Sequence, residues 1–260
     1  MLHGRTALVT GSFAGLGLGV AEALAGAGAN VIVHGLCDRR TGEAAAGQLA
    51  AAYGGATMFS GADLRSVDAI EALVDTAARR FGRIDIIVNN AVLRHFKPVD
   101  EFRSDEWDAS IAVNLSSAFH LARLAVPTMK AAGWGRIVNM ASIYGVRGAE
   151  NRIDYVTTKS ALLGMTRALA IELARTGITA NAVSPGTVPT EAILSRIAER
   201  ARAAGRGFEE ARADYLVGRN PTGRFVSVEA VGATVAFLCG PHSSDINGAN
   251  MAVDGGWAAA

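Results

Sequence analysis

Tyr155 and Lys159 stand four residues apart, and Ser142 precedes the tyrosine by thirteen. On a helix, residues at i and i+4 share a face, so the ammonium can sit beside the phenol. A free tyrosine titrates near ~10, too high to accept a proton at neutral pH. A cation roughly 5 Å away, at an effective dielectric of about 20, supplies on the order of 3 kcal/mol, or roughly two pKa units. The spacing therefore predicts an acid/base phenol. Ser142 adds a hydroxyl that can donate to an oxygen reacting beside it.

Such groups need elements that hold them together. Short β-branched runs alternate with longer alanine-rich segments. Strands are predicted at Ala7–Thr10, Asn30–Val33, Thr57–Phe59, Ile84–Asn89, Arg136–Met140, Thr179–Val183 and Asn250–Val253. Helices are predicted near Gly15–Ala27, Thr41–Tyr53, Val67–Phe81, Asp105–Ala131, Asp154–Thr176, Glu191–Val217 and Val228–Leu238. This alternation implies an α/β protein with a parallel sheet and helices on both faces. No repeat or linker divides the chain, so residues 1–260 read as a single domain. Only Thr190–Arg224 breaks the rhythm. This arginine/glutamate-rich stretch, with Gly205 and Gly207 inside it, reads as a lid inserted over a site or as a solvated helical hairpin.

The first predicted strand runs into Thr10-Gly11-Ser12-Phe13-Ala14-Gly15-Leu16-Gly17. Val20 departs from the strict G-x-G-x-x-G pattern, but the mechanics are the same: glycines let the backbone approach a pyrophosphate, and a helix N-terminus favours its charge. An acid after the second strand would serve the adenosine ribose of NAD. Here Leu36 takes that place, followed by Asp38, which could reach the hydroxyls, and by Arg39 and Arg40, which could meet a 2′-phosphate. The apolar Leu36, with no basic residue directly before it, favours NAD and leaves NADP open.

Half of the residues are apolar and 30 are glycine, which suits a tightly packed α/β chain. A net charge of +1 argues against a nucleic-acid surface or an anionic-membrane patch. Arginines number 22 against three lysines, a skew that suits carboxylate recognition but also follows from genomic base composition. Cys37 and Cys239 have neither metal-ligand spacing nor a disulfide framework, so reduced thiols in a cytoplasmic protein and no metal are expected. A strand pattern by Thr6 leaves no room for a leader, and the apolar stretches are interrupted before the ~18 residues a membrane span needs.

In order along the chain stand Thr10-Gly11-xxx-Gly15-x-Gly17, Asp63, Asn89-Asn90-Ala91, Asn114, Ser142, Tyr155-xxx-Lys159 and Pro185-Gly186. The set resembles the short-chain dehydrogenase/reductase family over essentially the whole length. The resemblance implies a Rossmann fold with a seven-stranded parallel sheet. It also implies hydride transfer between a nicotinamide and a secondary alcohol or ketone, and a tetramer built on the long helices and the last strand. By resemblance, Tyr155 exchanges a proton with the substrate oxygen, Lys159 binds the nicotinamide ribose and Ser142 bonds the reacting oxygen. Asn114 holds a relay water. The cofactor is implied to lie against Gly11, Ser12, Gly15, Leu16 and Gly17, then Leu36, Ala62, Asp63 and Leu64, then Asn90 and Ala91. Pro185, Gly186, Val188 and Thr190 would close over it. Val92 departs from the family's glycine. Either the backbone is ordinary there or the cofactor pocket is reshaped.

Within the family, the bacterial D-3-hydroxybutyrate dehydrogenases look most similar, and Trp257 matches their pocket. Arg94 and Arg196 stand where those enzymes have glutamines, Tyr144 for a histidine, Arg152 for a lysine and Thr187 for a tryptophan. Arg152 keeps a cation that can grip a carboxylate in two places. Arg94 and Arg196 add charge, and Thr187 removes a wall. A small anionic substrate is implied, more charged or bulkier than acetoacetate: a longer hydroxy or keto acid, a dicarboxylate or a sulfonate. Pairing of these arginines with Glu150, Asp154 or Glu191 would remove that implication. The alternatives are an NADP-dependent reductase of an uncharged or sugar-derived carbonyl and, more distantly, a non-catalytic nucleotide-binding regulator.

Overall fold

The computed structural model describes residues 1–260. Seven strands, β1 (Thr6–Val9), β2 (Asn30–His34), β3 (Thr57–Ser60), β4 (Ile86–Asn89), β5 (Gly135–Met140), β6 (Ile178–Pro185) and β7 (Asn250–Val253), form one sheet. Every pairing is parallel, in the order β3-β2-β1-β4-β5-β6-β7. The nine α-helices are α1 (Gly15–Gly26), α2 (Arg39–Tyr53), α3 (Val67–Phe81), α4 (Ser104–Ile111), α5 (Ser117–Ala131), α6 (Ile153–Leu173), α7 (Glu191–Ala203), α8 (Phe208–Leu216) and α9 (Val228–Cys239).

Strand side chains alternate between faces, and that alternation makes two cores. Ala7, Val9, Val31 and Val33 pack with Val20 and Leu24 of α1, Leu49 of α2 and Val231 and Val235 of α9. Leu8, Ile32, Ile87 and Ile137 point the other way, onto Ile70 and Leu73 of α3, Leu121 and Met129 of α5, and Leu173 of α6. Burial on both faces is why these strands are apolar runs rather than amphipathic ones. Asp85, almost fully buried, accepts from the Thr6 amide at 3.0 Å and pairs with Arg5 and Arg83, fixing the register where β1 meets β4. Strand order reverses between these two, so a crevice opens at their C-terminal ends.

Two predicted helices are divided. The run Asp105–Ala131 begins at Ser104 and contains a π-helical turn at Ala112–Ser116, which carries Asn114. As a whole, Ser104–Ala131 is long and apolar enough to cross a membrane by length and composition, contrary to the expectation that no stretch would be. In the fold it is a core helix, with Leu121, Ala122, Ala125 and Met129 buried against the sheet. The run Glu191–Val217 splits into α7 and α8 at Gly205 and Gly207, where Gly205 takes a φ of 63°. Val92 is not among the residues with positive φ, so its backbone is ordinary.

Candidate active site

The glycine loop lies at the crevice. Gly11 has a φ of 63°, and a Cβ on Gly17 would stand 2.1 Å from the Gly11 carbonyl oxygen, so only glycine permits this packing. Ala14 caps α1 without a side-chain acceptor, and the first turn holds no acid. The free amides at that end form an anion site. Thr10 Oγ accepts from the amides of Asn90 and Ala91 at 2.9 Å, while Asn90 Nδ2 donates to the carbonyls of Thr10 and Gly11. These bonds fix the loop to the end of β4.

A groove of about 580 Å3 runs from Gly11, Gly15, Leu16 and Gly17 past Asn90, Ala91 and Val92 to Ser142, Tyr155 and Lys159, under Pro185, Gly186, Val188 and Thr190. Thr190 Oγ is buried there without a partner. Uncapped helix amides at one end and an orphaned hydroxyl at the other fit a nicotinamide dinucleotide. A further hollow of about 350 Å3 at the end of β2 is bounded by Leu36, Asp63, Leu64 and Arg65. Arg65 holds the Asp63 carboxyl below the usual carboxylate range, through side-chain bonds as short as 2.5 Å. Asp38 caps α2 through the Thr41 amide at 2.9 Å, and Arg39 pairs with Glu43 at 2.7 Å.

Neither Ser12, which is fully buried, nor the half-buried Ala62 lines the groove or the hollow. The fully buried Ser12 hydroxyl donates to the Val9 carbonyl at 2.6 Å and accepts from the His34 amide at 3.0 Å. His34 Nδ1 accepts from the Gly11 amide at 3.1 Å, which leaves Nε2–H to donate to the Ala62 carbonyl at 2.9 Å. Burial pushes the His34 pKa down, in keeping with this neutral tautomer.

Ser142 and Tyr155 line both the cofactor groove and a second cavity of about 820 Å3. Extended backbone at Ser142 starts a short 3-10 turn, and its Oγ accepts from the Tyr144 amide at 3.3 Å, so its proton is free to donate outward. Lys159, one turn along α6 from Tyr155, is buried, and its Nζ donates to the Met140 carbonyl at 2.5 Å. The Nζ stands 5.6 Å from the Tyr155 ring centroid. Burial, reinforced by the charge of Arg94, lowers the lysine pKa to about 7. The ammonium expected from the spacing therefore holds its proton less firmly than an exposed lysine, because desolvation disfavours its charge.

Asn114 lines neither cavity. Its Oδ1 accepts from the Leu93 amide and its Nδ2 donates to the Leu93 carbonyl, both at 2.7 Å. The side chain thus holds the backbone next to Arg94. Buried Asp154 completes the support: it accepts from Ser110 Oγ at 2.9 Å, from the His95 amide at 3.1 Å and from the Tyr155 amide at 2.7 Å.

All seven residues proposed for substrate, Arg94, Ser142, Tyr144, Arg152, Thr187, Arg196 and Trp257, line the larger cavity. Asn151, at a φ of 57°, turns the chain into α6 and presents Arg152. Arg152 lies 3.7 Å from the centroid of Phe96, whose ring Arg196 approaches to 4.3 Å. Neither Arg94, Arg152 nor Arg196 pairs with Glu150, Asp154 or Glu191. Phe96, Arg200, Tyr215 and Arg219 also line the cavity without having been singled out in the sequence. Arg200 follows Arg196 by one helical turn, a spacing that carries the signal. Arg219 lies beyond α8 and carries none.

Fold and site define a short-chain dehydrogenase/reductase, and the chain belongs to that family. A family model described as Enoyl-(Acyl carrier protein) reductase matches residues 11–258. Among its relatives, the D-beta-hydroxybutyrate dehydrogenase of Cupriavidus necator is 42% identical over 100% of both chains. That of Rhizobium meliloti is 36% identical over 98% of this chain and 99% of its own. L-Sorbose reductase from Gluconobacter frateurii, solved with NADPH and L-sorbose, superposes with a TM-score of 0.95 at 28% identity, covering 100% of this chain and 98% of that one. The protein is an oxidoreductase acting on CH–OH groups.

Proposed function

We propose that the protein interconverts a small anionic hydroxy acid and its keto acid with NAD. The observation that carries this reading is the placement of Arg94 and Arg152, each 5.6 Å from the ring of Tyr155 and neither paired with a carboxylate. When bound, the nicotinamide accepts or supplies the hydride. Tyr155 Oη exchanges the proton of the substrate oxygen, and Ser142 Oγ donates to that oxygen as its charge develops. Lys159 faces the groove behind the phenol and gains protonation as negative charge collects there. Arg152 grips the substrate carboxylate through its planar fork.

NAD is favoured because Arg65, the one cation lining the hollow beside Leu36, is paired with Asp63, and Arg39 with Glu43; of the basic residues after β2 only Arg40, outside that lining, is unpaired. A second reading, reduction of a sugar-derived carbonyl with NADPH, draws on the likeness to L-sorbose reductase. Steady-state kinetics separate the two. The first expects 3-hydroxy acids to be oxidised with NAD at an efficiency that Arg94→Gln reduces about tenfold or more. A clear NADPH preference, or activity undiminished by Arg94→Gln, sinks it. A homotetramer is also proposed, since Phe119 on α5 and Ile171 on α6 are exposed at 53% and 82%; sedimentation gives its mass.

A further inference from the structure

The cavity wall holds more positive charge than one carboxylate needs; Arg147 donates to the Ala260 carbonyl, and the other five arginines fall in three places. Arg94 and Arg152 stand over Tyr155, at the reacting end. Arg200 and Arg219 lie 5.5 and 4.3 Å from the ring centroid of Tyr215, at the far end, on and after the lid helices α7 and α8. Arg196 lies between, on Phe96. The only acid on the wall is Glu150, which forms no ion pair. Arg219 donates to the Tyr215 carbonyl, while the Arg200 guanidinium has no hydrogen-bond partner. Crowded guanidiniums repel one another in a cavity partly shielded from water, and stacking on aromatic rings fixes their positions without neutralising them.

We propose that Arg200 and Arg219, held on Tyr215, form a distal anion subsite, and that the substrate is therefore a dicarboxylate. One carboxylate is gripped by Arg152 beside the reacting carbon and the other by the lid. The inference rests on the hydroxy-acid reading above and adds a second charged terminus to it.

The test compares 3-hydroxybutyrate with 3-hydroxyglutarate and 3-hydroxyadipate, with NAD, in the wild type and in the Arg200→Gln and Arg219→Gln variants. At least one diacid is expected to exceed the monoacid in kcat/KM by about tenfold or more. Each variant is expected to reduce that ratio about tenfold, through KM, with Arg219→Lys restoring part of it. A wild type that prefers the monoacid, or a ratio unchanged in both variants, overturns the subsite. Calorimetric binding of glutarate, adipate and butyrate separates this failure from that of the reaction. If no hydroxy acid is oxidised yet a diacid binds more tightly than butyrate, in a manner lost in Arg219→Gln, the subsite stands and the reaction reading falls. Equal binding of butyrate and the diacids removes the subsite whatever the turnover.

Discussion

Lys159 is asked for two opposing things: it must reach the interior beside Tyr155, and it must carry charge there. Desolvation opposes the charge and sets its pKa at about 7. A lysine depressed in the folded state binds fewer protons than the unfolded chain between that value and its ordinary 10.5. Stability from this group is therefore full above about 10.5, falls as pH drops toward 7, and is flat below. Lys159→Met removes the dependence. The difference in Tm between Lys159→Met and the wild type should be most in the variant's favour at pH 6–7 and shrink steadily toward pH 10. A pH-independent difference would show that the lysine is not buried as described. The Tyr155-xxx-Lys159 spacing alone does not carry this dependence. It placed the amine on the right face, but protonation depends on burial and on Arg94, which is distant in sequence.

Elements turn these residues into a site. The ends of β1, β4 and β5 deliver the glycine loop, Asn90 and Ser142 to one edge, and α6 sets Tyr155 and Lys159 one turn apart beneath it. The strands were legible because both faces of the sheet are covered, which makes them continuous apolar runs between longer alanine-rich segments. The π turn was not, since an extra residue per turn leaves the helical pattern unbroken on either side. Its consequence is specific: Asn114 reaches Leu93 and braces the segment carrying Arg94. Asn114→Ala leaves the part-buried amide and carbonyl of Leu93 without this partner and should cost about 1 kcal/mol in denaturant unfolding, with a raised KM for the acid substrate. An unchanged KM would confine Asn114 to stability. The β2 terminus has a matching role through His34. Its pKa lies below 6.5, so its contribution to stability is full above about 6.5 and is lost as pH falls toward the folded value. Protonation also removes the acceptor of the Gly11 amide. Dinucleotide affinity, followed by fluorescence titration, should weaken as pH falls to the lowered pKa of the folded-state histidine, and His34→Gln should flatten that slope. Ser12 and Ala62, assigned to the cofactor by resemblance, both bond this same histidine.

At the scale of the whole molecule, a net charge of +1 hides a concentration of arginine at one cavity. The excess of arginine over lysine was visible in composition, but its convergence was not, because Arg94, Arg152, Arg196 and Arg219 come from separate segments. Such a cavity draws in anions over distances that salt shortens: the Debye length falls from about 10 Å at 0.1 M to about 3 Å at 1 M. The KM for an anionic substrate should rise several-fold across that range while kcat holds; a salt-insensitive KM would mean that the arginines do not meet the substrate. NADH formation from a 3-hydroxy acid tests the phenol and this field together. The wild type should reduce NAD. Tyr155→Phe should lower kcat by about 10²–10⁴-fold, and Arg152→Gln should raise KM by about tenfold or more. Retained activity in Tyr155→Phe, or an uncharged secondary alcohol oxidised as efficiently as the acid and unaffected by Arg152→Gln, would contradict the account.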